Sequence, residues 1–218
     1  MKLHVSTNHQ RYLYLLLSIS FALLLVLWRM KITHTGHYLF LVWNLFLAGI
    51  PFLITKAYEL SRHWHNSAFI RFLTFLTWLL FLPNSPYIIT DLVHLHNRHE
   101  GLIWFDLFLV FVFAINGLIL GLLSLLDMAA LITERYGKSA AAYSIFKVCI
   151  LSGFGIYLGR FLRFNSWDVV TKPKVLLVEI MQSLQEPKVW MVTLAFGGFL
   201  WILFLLGNSI KEVLEVRH

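Results

Sequence analysis

The stretch from Leu76 to Glu100 reads LTWLLFLPNSPYIITDLVHLHNRHE, and two prolines, an asparagine and a serine interrupt its apolar run. No charged residue occurs between Arg71 and Asp91, a length that matches about one membrane crossing. The helix-compatible part before Pro83, however, would rise only about 17 Å, which is too short for a hydrocarbon core of about 30 Å. The sequence therefore predicts a third membrane-spanning helix that is broken at Pro83–Pro86.

The chemistry of the break follows from its prolines. Proline has no amide hydrogen and disfavours helical geometry in the residue before it, so Leu82 and Ser85 are expected to leave the helix. Carbonyl groups without a partner are tolerated at membrane depth only inside protein or beside a polar cavity, and Asn84 and Ser85 could donate to them. The alternative is a short third span, with the PNSPY segment turning at the membrane surface.

Composition sets the class of protein. Hydrophobic residues make up 59% of the 218-residue chain, charged residues make up 13%, and the mean hydropathy is +0.73, which is too apolar for a soluble domain. We expect an all-α, polytopic integral membrane protein with a single transmembrane domain over residues 1–218. The net charge of +7 fits cations beside anionic head groups, and nucleic acid is not expected because no basic cluster has RNA-type aromatic spacing.

About six apolar segments are long enough to cross a bilayer. The first resembles a signal peptide but lacks a small-residue cleavage site, so we expect it to stay attached as a transmembrane helix. A short helix after Pro173 is expected to lie in the interface before the last span, although an ordinary connecting helix would show the same pattern. The predicted spans are Tyr12–Trp28, Tyr38–Ala57, Phe72–Thr90, Leu102–Leu126, Ala140–Arg163 and Val189–Leu206.

The distribution of lysine and arginine orients the chain. Ten of these residues lie on the side with both termini and eight on the other side, or six when Arg160 and Arg163 are set aside as intramembrane groups. Because cations concentrate on the cytoplasmic side, both termini are expected in the cytoplasm, with the loop near Arg98 outside.

Polar residues gather after the break. Asp91 and His94 lie three residues apart and would share one face of a helix, and Asp106 opens the next span. Such a set could act as acid or base, or hold a metal. Because His94, His96 and His99 do not follow an H-E-x-x-H pattern, we predict no metal site and no cofactor.

Two arginines extend this cluster. Arg160 and Arg163 lie three residues apart at the end of the fifth span, on the same membrane side as Asp91. Since arginine matches the geometry of carboxylate and phosphate, Arg160 is expected to contact Asp91, Asp106 or Asp168, or to share a bound anion such as a lipid head group with Arg163. A structural ion-pair network that fixes the loops is the alternative.

Small and amide residues predict close packing of the spans. The fourth and fifth spans each carry a G-x-x-x-G motif, formed by Gly117 and Gly121 and by Gly155 and Gly159. These motifs let helix backbones approach, so the two spans are expected to lie close together. Asn44 and Asn116, in the second and fourth spans, are expected to form interhelical hydrogen bonds.

Three segments resemble the signature segments of a bacterial family of multi-pass membrane proteins, the domain of unknown function 1361: FLPNSPYIITDLVHL, WFDL and GIYLGRFLRFNSWD. The similarity runs from about the second span to the last. The resemblance implies a bacterial plasma-membrane location but no activity. It also implies the importance of Pro83, Asn84, Pro86, Asp91, His94, Asp106, Arg160, Arg163, Asn165, Trp167 and Asp168. Among these, the candidate ligand-binding residues are Asn84, Arg160, Arg163, Asn165, Trp167 and Asp168.

Three functions remain open. The first is recognition or processing of an anionic, phosphate-bearing lipid or solute, with Arg160 and Arg163 as charge clamps and Asp91, His94 or Asp106 as acid or base. The second is transport of a small solute or ion through the break, although the spans offer few polar residues to line a path. The third is a structural or assembly role, in which the partners are membrane lipids, a second copy of the chain or another membrane protein.

Overall fold

Six helical segments of the computed structural model are long and apolar enough to cross a membrane, counted over the residues that the structure describes, 2–61, 67–97 and 100–216. The protein is therefore an all-helical integral membrane protein, and the described ranges contain no strand. Two 3-10 helices cover Ile88–Asn97 and Glu100–Leu102. The α-helices are α1 Lys2–Thr33, α2 Leu39–Leu60, α3 Ala68–Phe81, α4 Asn84–Tyr87, α5 Ile103–Tyr136, α6 Lys138–Arg160, α7 Asp168–Thr171, α8 Pro173–Ser183 and α9 Pro187–Val216.

Three of these helices, α1, α5 and α9, are longer than their apolar runs predict. α5 has 34 residues, so it rises about 51 Å and extends past the hydrocarbon core. It ends at Tyr136 because Gly137 follows with a φ of 86°, a conformation that favours glycine, and α6 begins at the next residue. α9 likewise continues past Leu206, because polar residues that end an apolar run do not end a helix.

The third span is broken where the sequence predicts. α3 ends at Phe81, a turn at Leu82 and Pro83 follows, and α4 gives way to the 3-10 helix. The expectation that Leu82 and Ser85 leave helical geometry is wrong, because Leu82 has a helical φ of −55° and ψ of −38°, and Ser85 lies within α4. The proline preference is a bias that packing overrides. What changes at the break is the hydrogen-bond pattern of the helix. The Ser85 amide donates to the Leu82 carbonyl oxygen at 3.1 Å, an i to i−3 bond in place of the i to i−4 bond of an α-helix.

Glycines of α5 and α6 hold the broken segment on two sides. A Cβ atom at Gly117 would lie 2.8 Å from the Ser85 carbonyl oxygen, and one at Gly121 would lie 2.6 Å from the Ser85 Cβ. On the other side, a Cβ atom at Gly155 would lie 2.5 Å from Cγ of Pro83. α5 and α6 contact each other, which confirms that the two spans lie close together, and each G-x-x-x-G motif packs against the broken segment.

The last span packs closely along α6. A Cβ atom at Gly153 would clash with the carbonyl oxygen of Thr193, and one at Gly197 would lie 3.0 Å from the carbonyl oxygen of Cys149. The short helix predicted before this span is present as α8. Its place in the membrane interface stays a prediction.

Chain direction alternates from span to span, so three connections share one membrane face. They are residues 34–38 between α1 and α2, residues 82–102 between α3 and α5, and residues 161–186 between α6 and α9. This face is termed the site face, because the polar ends of α1, α5 and α6 meet the broken segment there.

Candidate functional site

Arg160, the last residue of α6, is bound by the segment that follows the break. Its Nη1 donates to Oδ1 of Asp91 at 3.2 Å and its Nη2 to the carbonyl oxygen of Thr90 at 2.9 Å. The guanidinium also lies 5.9 Å from the ring centroid of Tyr87. Asp91 is 1% exposed and accepts from Nδ2 of Asn44 at 2.8 Å. The predicted contact of Arg160 with a nearby aspartate is thus confirmed, with Asp91 as its partner.

Asp106 has a different arginine. Nε and Nη2 of Arg29, near the end of α1, donate to its two carboxylate oxygens at 2.5 and 2.9 Å. Both residues are buried, and the Arg29 guanidinium also lies 5.6 Å from the ring centroid of Tyr38. An arginine fork of this kind gives a buried carboxylate a charged, doubly hydrogen-bonded partner. Asp106 therefore joins α1 to α5 and does not complete the cluster around Arg160.

Two side chains bind carbonyl groups that the break leaves open. Nδ2 of Asn84 donates to the carbonyl oxygen of Phe81 at 2.9 Å and to Oγ of Ser166 at 3.1 Å. The Ser166 hydroxyl in turn donates to the carbonyl oxygen of Leu80 at 2.8 Å. The predicted local bonding by Asn84 is confirmed, and the loop after α6 contributes the second donor to the end of α3.

A cavity of about 730 Å³ lies beside the broken segment, between it, α2 and α6. It is termed the break cavity. Four of the six candidate ligand-binding residues line it: Asn84, Arg160, Arg163 and Asn165. Trp167 and Asp168 do not belong to its lining. Apolar side chains of α3 and α6 form much of the remaining wall, among them Leu79, Leu80, Leu151, Phe154 and Leu158.

Arg163 is exposed at the break cavity, and it forms no hydrogen bond or ion pair with another residue of the described ranges. Its φ of 59° lies in the left-handed region. Such a conformation costs a non-glycine residue about 1–3 kcal/mol, and glycine is the usual residue there. The amide of Phe164 bonds the carbonyl oxygen of Leu158 at 3.1 Å and closes the end of α6 around it. The fold thus keeps an arginine where a glycine would be less strained.

Asp168 orders the loop that carries Arg163. It is 4% exposed, and its carboxylate accepts from the backbone amide of Asn165 at 2.7 Å and from the hydroxyl of Thr171 at 2.9 Å. These bonds, above all the one from the Asn165 amide, hold the pKa of Asp168 below its ordinary value. Trp167 beside it is exposed on the site face. Asp168 therefore positions a cavity residue from outside the cavity.

The structure does not describe the side chains of the predicted histidine cluster. The side chains of His94 and His96 lie outside the described part of the structure, and so does the whole of His99. Within residues 2–61, 67–97 and 100–216, no three His, Cys, Asp or Glu side chains are close enough to hold a metal ion. The absence of a metal and of a cofactor stays a prediction.

Sequence reasoning misses two residues that build the site. In the sequence, Arg29 resembles an ordinary cation at the end of a span. Asp106, however, starts another span on the same membrane face and needs a partner there, and this could have predicted its pair with Arg29. Ser166 gives no such signal, because a loop serine is common and its acceptor on α3 is distant in sequence.

The two asparagines of the spans have different outcomes. The interhelical hydrogen bond predicted for Asn44 is confirmed by its contact with Asp91. The prediction for Asn116 is wrong, because its Nδ2 donates to the carbonyl oxygen of Val112 within the same helix at 2.9 Å. A helix offers its own carbonyl one turn away, and an amide at that spacing can bond it without a neighbour.

A family model matches most of the chain. The family described as Protein of unknown function (DUF1361) matches residues 43–203. This range includes the broken segment, Asp91, Asp106, Arg160 and Arg163, whereas Arg29 precedes it. No curated protein and no solved structure matches the chain.

Proposed function

The chain belongs to the DUF1361 family of proteins of unknown function, and we propose that it binds an anionic, phosphate-bearing lipid in the break cavity. One observation carries the proposal: Arg163 has a left-handed backbone and no counter-ion among the described residues, and it lines a cavity with largely apolar walls. Backbone strain in a non-glycine residue concentrates at sites that require it, which supports a binding role.

The two arginines of the cavity have unequal roles in this proposal. A guanidinium group binds phosphate oxygens through parallel hydrogen bonds. Arg160 already donates to Asp91 and Thr90, so it contributes mainly positive potential at the cavity. Arg163 makes the direct contact with the phosphate, and Asn165 also lines the cavity.

The apolar walls favour a lipid over a small soluble anion. Leu79, Leu151, Phe154 and Leu158 line the cavity on the sides of α3 and α6. A hydrated anion would leave these side chains facing water, whereas an acyl chain would cover them. The head group then lies at Arg163 and the chain extends along the leucines toward the hydrocarbon core.

The carboxylates favour binding over processing. Both oxygens of Asp106 accept from Arg29, and Asp91 lies between Arg160 and Asn44. Neither aspartate is part of the cavity lining, whereas a general acid or base must reach the reacting group. In the proposal these aspartates hold arginines and helices in place, and Asn84 and Ser166 hold the broken segment.

We further propose a bacterial plasma-membrane location with both termini in the cytoplasm, which puts the break cavity at the outer face. The site face carries eight lysines and arginines against ten on the side of the termini, and two of the eight, Arg29 and Arg160, are bound by aspartates. Reporter fusions after residue 218 and in the loop near residue 98 test this orientation. A cytoplasmic signal from the loop fusion would reverse it.

Native mass spectrometry of the full chain, purified gently from its membrane, tests the binding proposal. The wild-type protein is expected to retain an anionic lipid, and Arg163→Gln is expected to lose it. Lys174→Gln is the matched control, because Lys174 is an exposed cation on the same face that does not line the cavity. Equal retention by Arg163→Gln and the wild type would contradict the proposal, and so would displacement of the bound species by inorganic phosphate, which would indicate a soluble anion.

A further inference from the structure

α2 and α5 run in the same direction and pack against each other, and each carries two polar residues, of which Thr55 and Asn116 are buried and Asn44 and Asp127 are half-buried. On α2 these residues are Asn44 and Thr55, and on α5 they are Asn116 and Asp127. In both helices the spacing is close to three full turns, so the two residues lie on one side of their helix. The single hydroxyl hydrogen of Thr55 is shared between the carbonyl oxygen of Phe52 at 2.9 Å and Oδ2 of Asp127 at 3.3 Å, and the second contact links α2 to α5.

The broken segment supplies a polar group between these pairs. The hydroxyl of Ser85 donates to the carbonyl oxygen of Ala48 at 3.2 Å, one helical turn along α2 from Asn44. A Cβ atom at Gly121 would lie 3.0 Å from the same hydroxyl oxygen, so Ser85 also reaches α5. Because Gly117 and Gly121 of α5 have no side chains, the Ser85 hydroxyl fits deep in the bundle.

Ser124 continues the series along α5. It is fully buried, one turn after Gly121 and one turn before Asp127, and its Oγ accepts from Nε1 of Trp78 at 2.6 Å. Residues one turn apart on a helix have Cβ atoms about 5–6 Å from each other, a gap that a single water can bridge. The residues Asn44, Ser85, Asn116, Ser124, Thr55 and Asp127 together are termed the polar row.

One acceptor in the polar row lacks a protein partner. Asn116 is 1% exposed and its Oδ1 has no hydrogen-bond partner among the described residues, while its Nδ2 is bound to Val112. A buried acceptor without a protein partner is normally satisfied by an internal water. We therefore expect an internal water at Asn116, near the middle of the bundle.

Both ends of the polar row reach polar surroundings. At the site face, Asn44 lines the break cavity and donates to Asp91, which Arg160 also contacts. At the opposite end, Oδ2 of Asp127 is 2.8 Å from Nζ of Lys56, and Lys56 also binds Glu59 at 2.9 Å. The Asp127 side chain is 21% exposed, and its partner Lys56 lies near the end of α2 at the second membrane face.

We propose that the polar row carries protons between the break cavity and the opposite membrane face, an activity separate from lipid binding. A proton enters from water at the polar, site-face end of the cavity, beside Asn44 and Asp91, and passes along waters held by the hydroxyl and amide groups, which can both donate and accept. The carboxylate of Asp127 accepts it and becomes a neutral carboxyl group. Release to water at the second face restores the carboxylate and its pair with Lys56, so nothing is consumed.

Proton flux into liposomes tests the proposal with the full chain. The protein is reconstituted with a trapped pH-sensitive dye, and a potassium gradient with valinomycin sets the membrane potential. Wild-type protein is expected to acidify the lumen faster than protein-free liposomes do. Ser124→Ala and Thr55→Val, which remove hydroxyls from the polar row, are expected to return the rate to that of protein-free liposomes.

Ser152→Ala is the matched control, since Ser152 is an equally buried serine on α6 outside the polar row, and its rate is expected to equal that of the wild type. Thr55→Val is isosteric and keeps the Lys56–Asp127 pair, so it decides the outcome if Ser124→Ala fails to fold. A wild-type rate no faster than protein-free liposomes, or equal rates for Thr55→Val and the wild type, overturns the proposal. Lipid retention by Thr55→Val stays at the wild-type level in either case, which separates this test from that of the proposed function.

Discussion

Arg29 on α1 and Asp106 on α5 form a bidentate ion pair whose side chains are only 10% and 2% exposed. The pair joins the first helix, which precedes the range matched by the family model, to a helix inside that range. A buried ion pair adds little net stability relative to apolar residues, but it penalises arrangements that separate the charges. It therefore specifies which part of the bundle α1 packs against.

Removing either partner of this pair should destabilise the fold, because the other charge is left buried. We expect Arg29→Ala or Asp106→Ala to lower the free energy of unfolding by about 3–5 kcal/mol, measured by thermal or denaturant unfolding in detergent. The double replacement of Arg29→Met with Asp106→Leu should recover most of this loss. Additive losses in the double variant would show that the two side chains do not act as a pair.

Arg160 should not tolerate lysine. Its fork donates to both Asp91 and the Thr90 carbonyl and lies over Tyr87, a set of contacts that a single ammonium group cannot reproduce. Arg160→Lys is therefore expected to lose most of the thermal stability that Arg160→Ala loses, and with it lipid retention. Full recovery by lysine would reduce Arg160 to an interfacial anchor, since lysine also extends its amine to the membrane surface.

Arg163 should show a trade-off between stability and binding. Glycine relieves the left-handed backbone, so Arg163→Gly is expected to raise the free energy of unfolding by about 1 kcal/mol while it abolishes lipid retention. Arg163→Gln should lose the lipid without the gain in stability. Thermal unfolding and native mass spectrometry on the same preparations measure both effects. Retention of lipid by Arg163→Gly would mean that the strained arginine serves some other purpose.

Gly155 should be intolerant of even one added methyl group. The ring of Pro83 occupies the place of its Cβ and cannot rotate away, so Gly155→Ala is expected to cost about 1–3 kcal/mol in unfolding free energy. Gly198→Ala in α9 is the control, because a Cβ atom at Gly198 would contact no neighbouring side chain or helix within 4 Å. That variant should be neutral or slightly stabilising, since alanine favours the helix. Equal unfolding free energies for the two variants would contradict the close packing of Pro83 against Gly155.

The loop around Asp168 should depend on pH in a defined direction. Its pKa is lowered in the folded state, so the ionised carboxylate stabilises the loop above the unfolded value of about 4, and this contribution is lost as pH falls through the folded value. Asp168→Asn should therefore loosen the loop at neutral pH and differ less from the wild type as the solution is acidified. Hydrogen exchange of residues 161–172, corrected for the intrinsic rate at each pH, measures this difference. A constant difference across the range would exclude ionisation as the cause.

The structural effect of the two prolines is predictable from the sequence only in part. Pro83 and Pro86 remove amide donors wherever the chain lies in space, so the discontinuity of the third span is predictable from the sequence. The geometry of Leu82 is not, because its preference for extended backbone is weaker than the packing of the segment between Gly121 and Gly155. The carbonyls that the break exposes are then bound by Asn84, which is local, and by Ser166, which is not.

The candidate site is likewise predictable from the sequence only in part. Arginines and aspartates near the ends of spans need partners, so a cluster at one membrane face follows from the sequence. The sequence leaves Asp91, Asp106 and Asp168 as possible partners for Arg160. Only the packing of α1 against α5 assigns Asp106 to Arg29, and the loop after α6 turns Asp168 onto Asn165 and Thr171. The strained backbone of Arg163 has no signature in the sequence at all.

By itself the sequence determines the membrane class, the six spans, the broken third span and the face on which the charges gather. Each of these depends on the length, polarity or missing donors of a local segment measured against the thickness of a bilayer. The tertiary structure alone decides which arginine binds which aspartate, that the glycine motifs hold the break, and that polar residues of α2 and α5 face each other. These relationships depend on side-chain distances between segments far apart in the chain, and no local pattern encodes such distances.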